Sequence, residues 1–183
     1  YYALGAFGLL GQFEEREQFV RYLLNVASEA PDLNLSPLYR VDGTGDLEEK
    51  VLADWRGFND EPPVRVGNAA ASQAQHDLYG EMVLALTPIF LDERFSAERS
   101  AAVLRLLEGL ARKATAVAGK PDAGIWEFRK AWEPQTFSGL MCWAAADRMA
   151  TVAARHASAL AEEFRAAARR IHDELLENAW NGE

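Results

Sequence analysis

A chain of 183 residues, 49% hydrophobic and 26% charged, is long enough to bury one substantial core and has the make-up of a globular domain. Its net charge of −9 argues against a nucleic-acid or anionic-membrane partner, and its single cysteine, Cys142, excludes an internal disulfide and any multi-cysteine metal site. No apolar run approaches the length of a membrane span, no signal peptide is visible, and the lack of paired cysteines favours the cytoplasm.

In chain order, helical patterning dominates. Residues 2–10 are apolar on every side, which predicts a helix buried all round. Over about 14–29, Phe19, Tyr22, Leu23 and Val26 recur at three- and four-residue spacing against Glu14, Glu15, Glu17 and Arg21, describing an amphipathic helix. A long stretch rich in Pro, Gly and Asp follows at 31–67, with one short helix expected at 47–55. A helix is predicted at about 68–91, with Leu78, Met82, Val83, Leu86 and Phe90 on its apolar side. Ser96 reads as the cap of an amphipathic helix running to about 118. Pro121 and Gly124 then break the pattern before a nearly all-apolar helix at 138–154 and an amphipathic one at 158–179.

The order is buried, amphipathic, repeated three times, in pairs at roughly 2–29, 68–118 and 138–179. A four-helix bundle gives every helix a single apolar stripe, whereas a toroid of concentric helix layers gives this alternation. The reading is one all-α domain over 1–183, an incomplete toroid of about three inner/outer helix pairs. The long loops 31–67 and 119–137 both follow outer helices, so they gather at one end of the ring, where sites are commonly built.

Three polar clusters fall on that end: 35–43, 63–81, and the loop from Pro121 to Arg129. In the last, Trp126 lays a large apolar surface beside the Glu127 carboxyl, the setting in which an acid holds its proton near neutral pH. Cys142, in an apolar run, reads as an inert buried thiol. His76, His156 and His172 show no metal-ligand spacing, so no catalytic metal and no cofactor are expected.

Gly67-Asn68-Ala69-Ala70 followed by Gln73, Gln75, Asp77, Tyr79, Gly80 and Glu81 resembles the helix-opening block of glucoamylase- and trehalase-type glycosidases, glycoside hydrolase family 15. Pro121-Asp122 through Gly124-Ile125-Trp126-Glu127-Phe128-Arg129 is similar to that family's general-acid loop. Ser138, Met141-Cys142-Trp143 and Asp147-Arg148 are similar to the segment after it, and Leu38-Tyr39 with Val41-Asp42-Gly43 to an earlier block. The resemblance implies an (α/α)6 barrel and an inverting, exo-acting α-glucosidic hydrolase working on α-glucan, maltooligosaccharide or trehalose. It makes Glu127 the general acid and Trp126, Arg65, Asn68 and Arg129 sugar-binding residues. The family's general base and the Arg-Asp pair that grips the terminal glucose have no counterpart here, so the chain is expected to be part of a catalytic domain and inactive alone. Self-association through the uncovered half-ring is then expected. Ala123, Lys130, Gly139 and His76 depart from the residues usual in the family.

Blander readings stand beside these. Arg65 can pair with Asp60 or Glu61 at the surface, and Asn68 can serve only as a helix cap. Gln73, Gln75 and Asp77 fit a structural hydrogen-bond network better than substrate contact. Asp147–Arg148 fits a buried ion pair, and Glu133 a surface carboxylate. The alternatives at the level of function are a non-catalytic helical-toroid module binding carbohydrate or protein, and a toroid lyase or epimerase acting on sugars.

Overall fold

The computed structural model describes residues 2–156, 158–179 and 181; the ends of the expected domain at Tyr1, Trp180, Gly182 and Glu183 lie outside them. Six α-helices occupy most of the described residues: α1 (Tyr2–Leu10), α2 (Phe13–Ser28), α3 (Asp77–Leu91), α4 (Ala101–Val117), α5 (Thr136–His156) and α6 (Ala161–Ala179). Two short antiparallel ladders lie in the loops. In one, β1 (Lys50–Leu52) pairs with β2 (Val64–Val66); in the other, β3 (Pro121–Asp122) pairs with β4 (Glu133–Pro134).

The architecture is all-α, a partial (α/α) toroid. Helices α3 and α5 pack against each other as the inner layer, with α4 and α6 outside them. Burial follows from sequence. Val83, Leu86 and Ile89 of α3, and Cys142, Ala145, Met149 and Val152 of α5, are fully enclosed. On α4 and α6 only one face is buried, carried by Val103, Leu107, Leu110 and Ala114 and by Phe164, Ala168 and Ile171. Their charged faces carry the ion pairs Arg112–Glu163 and Arg170–Glu174.

Small residues let the inner helices approach closely. Gly80 of α3 lies directly against the Met141 backbone of α5, and a methyl group added there would overlap the Met141 carbonyl. Helix α2 is tied to this core by a buried cation. Arg16 donates from Nη2 to the Ala85 carbonyl at 3.1 Å, and its guanidinium lies 4.0 Å from the centre of the Phe95 ring.

Five expectations are corrected. Helix α1 forms where predicted but is not buried all round: Leu4 is enclosed while Leu9 is 92% exposed, because no described element covers its outer sides. The expected helix at 47–55 is instead strand β1, since Val51 and Leu52 find ladder partners in Arg65 and Val64 and the segment has no apolar helical face. The helix placed at 68–91 opens at Asp77; residues 69–72 form a 3-10 turn capped by Asn68 Oδ1, which accepts from the Ala70 amide at 2.9 Å. Ser100 rather than Ser96 caps α4, accepting from the Val103 amide at 3.2 Å. The Asp147–Arg148 pair, at 2.6 Å, is partly exposed rather than buried.

Replacing Gly80 with alanine forces α3 away from α5. The variant is expected to lose about 1–3 kcal/mol and to melt roughly 3–8 °C lower, measured by thermal denaturation.

Candidate active site

The two long loops do meet at one end of the helix layers. Residues 123–132 leave and re-enter through the β3–β4 ladder, so both ends of this excursion are held together. Asp122, fully buried, anchors it from below. Its Oδ2 accepts from the His76 amide, at the start of α3, and from the Ser138 hydroxyl of α5, both at 2.7 Å. The neighbouring Ala123 amide donates to the Ala74 carbonyl at 2.9 Å. The acidic loop is thereby fastened to both inner helices at once.

Within the excursion the chain turns tightly. The Glu127 amide donates to the Gly124 carbonyl and the Phe128 amide to the Ala123 carbonyl, each at 3.0 Å. Glu127 itself has φ of 53°, the left-handed region that side chains other than glycine seldom occupy. Such residues persist where their surroundings hold them, and they gather at functional sites. Here the holding comes from Gln73, whose Nε2 donates to the Glu127 carbonyl at 3.2 Å. Gln73 also lines a cleft of about 430 Å³ shared with Ser36, Gln75, His76, Tyr79 and Lys113.

The β1–β2 hairpin closes on the loop from another side. Glu49, just ahead of β1, faces two arginines: Arg65 Nε lies 3.5 Å from its Oε1, and Arg129 Nη2 lies 3.7 Å from its Oε2. Arg65, Asn68, Trp126, Glu127 and Arg129 therefore belong to one region, linked through Glu49, Gln73 and the capped turn at Asn68. The ion pair expected between Arg65 and Asp60 or Glu61 is replaced by the one to Glu49, because β-pairing carries Arg65 towards the start of β1; Asp60 pairs with Arg56.

Matching the chain to known proteins decides its kinship. The model of the family described as "Glycosyl hydrolases family 15" matches residues 1–183. The chain belongs to glycosyl hydrolase family 15. The chain is similar to the trehalase of Mycolicibacterium smegmatis, 32% identical over 96% of this chain and 26% of the relative. The trehalase of Mycobacterium tuberculosis is likewise 32% identical, over 97% of this chain and 26% of its own length. That of Thermoplasma volcanium is 27% identical, over 98% and 28% respectively. The chain thus spans about a quarter of the length of the curated relatives it matches. No solved structure matches it.

In this family 15 chain the shielding of the Glu127 carboxyl by Trp126 is not formed. Trp126 is 79% exposed and Glu127 is exposed beside it, because the tip of the excursion stands clear of the helices. Glu133, in β4, is also exposed. Sequence reasoning passed over Glu49, which sits in a run of acidic residues that looked like the start of a helix. The signal that could have found it was the pair of arginines, 65 and 129, placed in the two loops expected to converge.

Charge beneath the loop is governed by burial. Asp77, at the first turn of α3, is pushed up to about 6 from 3.8, chiefly by burial and further by the nearby Glu81 and Asp122 carboxylates. Burial lowers His76 and raises the Cys142 thiol to about 12, consistent with an inert sulfur whose Sγ contacts the His76 carbonyl at 3.7 Å. Among the described residues no cluster of His, Cys, Asp or Glu has the arrangement of a metal site, and no helix is long and apolar enough to cross a membrane.

Because Asp77 holds its proton more tightly folded than unfolded, the stability it confers is full below about 3.8 and is lost progressively as pH rises from there through about 6. Asp77→Asn removes that dependence. Between pH 5 and pH 7.5 the parent chain is expected to lose about 1–1.5 kcal/mol more than the variant, read as the difference between their melting curves.

Proposed function

We propose that this chain carries the general-acid side of an inverting, exo-acting α-glucosidase, with trehalose favoured over maltooligosaccharide or α-glucan as substrate. The observation that supports this best is the setting of Glu127: a carboxylate on a left-handed residue, at the tip of a loop anchored to both inner helices of a family 15 toroid. Trehalose is favoured because the relatives at about 30% identity carry the name trehalase.

In this reading the sugar enters at the loop end of the toroid, against Trp126 and within reach of Arg65, Asn68 and Arg129. Glu127 gives its proton to the glycosidic oxygen as the bond to the anomeric carbon breaks. A water molecule attacks that carbon from the opposite face while a second carboxylate takes the water's proton. In an inverting enzyme the two carboxyl groups stand about 6.5–9.5 Å apart, leaving room for that water. We assign the second carboxylate to the part of the enzyme corresponding to the three quarters of the relatives that this chain does not match. The exposure of Trp126 fits a surface awaiting a sugar ring, since pyranose faces cover aromatic rings well.

Three measurements test the assignment. In the intact protein, Glu127→Gln is expected to lower kcat by roughly 10²–10⁴-fold with KM within a few-fold, the pattern for loss of a group that acts only in the transition state. Near-normal kcat overturns the acid assignment. Proton NMR during early turnover of trehalose should show α- and β-glucose in equal amounts, one ring inverted and the other released unchanged; α-glucose alone overturns inversion. The 183-residue chain by itself is expected to release no glucose, and turnover matching a full-length relative would overturn the division of the two carboxylates.

A further inference from the structure

The excursion that bears Glu127 has four supports, and three of them are explained by the fold. Its ends are joined by the β3–β4 ladder and its base is fixed by Asp122, while Gln73 holds the Glu127 carbonyl. The fourth support is the carboxylate of Glu49, which reaches Arg65 with one oxygen and Arg129 with the other. Arg129 lies two residues beyond Glu127, so a restraint on its guanidinium is a restraint on the tip of the turn. Arg65 lies in β2, paired with Val51 of β1, so Glu49 sits immediately before the paired residues of the hairpin.

The energetics separate this arrangement from a structural brace. Both arginines are largely exposed, and pairs of that kind contribute little to global stability. Glu49 is the less exposed member, at 23% of its side chain, and it places one negative charge between two positive ones. Without it, two like charges in different loops face each other with nothing between them, which favours the loops moving apart. The consequence falls on geometry near Glu127, not on the helical core.

We propose that Glu49 is a positioning residue for the reaction: it holds Arg129, and through it the Glu127 turn, in register with the β1–β2 hairpin. This rests on the reading of Glu127 as the general acid. Displacing a catalytic group by about 1 Å is enough to cost on the order of 100-fold in rate, so a modest loosening has a large kinetic effect.

The test is Glu49→Gln in the intact protein, with hydrogen exchange of the 124–132 segment and steady-state kinetics on trehalose measured together. The variant keeps its melting temperature within a couple of degrees. Exchange at the Glu127 and Phe128 amides is expected to speed up, and kcat to fall about 10-fold or more with KM changed less than about threefold. Raising the salt concentration should lower kcat of the parent towards that of the variant and leave the variant unmoved, because screening removes the same attraction. Adding Glu49→Gln to Arg129→Gln should cost little beyond Arg129→Gln alone. Unchanged exchange in the loop overturns the docking role whatever the reaction is. Faster exchange with unchanged kcat overturns the positioning role, and Glu127→Gln then reports separately on whether Glu127 is the acid.

Discussion

One carboxylate oxygen joins three parts of this molecule. Oδ2 of Asp122 accepts from the backbone at the head of α3 and from the Ser138 hydroxyl at the head of α5, while Asp122 itself opens the loop that carries Glu127. A buried carboxylate is costly unless donors meet it, and here two donors from the heads of two different helices meet Oδ2, while the buried Oδ1 has no hydrogen-bond partner among the described residues. The position of the loop is therefore set by the packing of the inner layer. Anything that changes how α3 and α5 lie together, such as the close passage of Gly80 across Met141, is felt at the base of the loop.

The layers of helices were legible in the sequence because burial writes itself into composition. Helices α3 and α5 are apolar nearly all round, α4 and α6 have one apolar face, and the toroid follows from that alternation. Where the reading failed, the local pattern was overruled by something distant. Residues 2–10 are apolar enough to be enclosed, yet the described residues leave most of α1 open, since a helix is covered only by what is packed upon it. Residues 47–55 carry helix-forming side chains, but Lys50–Leu52 among them find strand partners twelve to sixteen residues on. Asn68 and Ser100 are both caps, and only the structure tells which polar residue in a run of them takes that task.

The candidate site was legible to a different depth. The order Trp126-Glu127-Phe128-Arg129 pointed to the loop, and the convergence of the 31–67 and 119–137 segments followed from their shared end of the ring. What was not read was pairing across that convergence, which only the two arginines signalled. Glu49 is one acid among several in its segment, and nothing in its neighbours marks it as the one opposite Arg65 and Arg129. Nor does adjacency in sequence guarantee adjacency of surfaces: Trp126 precedes Glu127, yet the turn between Gly124 and Phe128 leaves the indole in the open.

The short β3–β4 ladder has a consequence of its own. It seals the neck of a ten-residue excursion, so the segment from Ala123 to Trp132 behaves as a cassette with a fixed socket, formed by Asp122 on one side and Glu133–Pro134 on the other. Natural variation or a protein engineer can exchange the contents of such a cassette without unpicking the helices underneath. Divergence in substrate preference among proteins built on this plan has a ready place to accumulate.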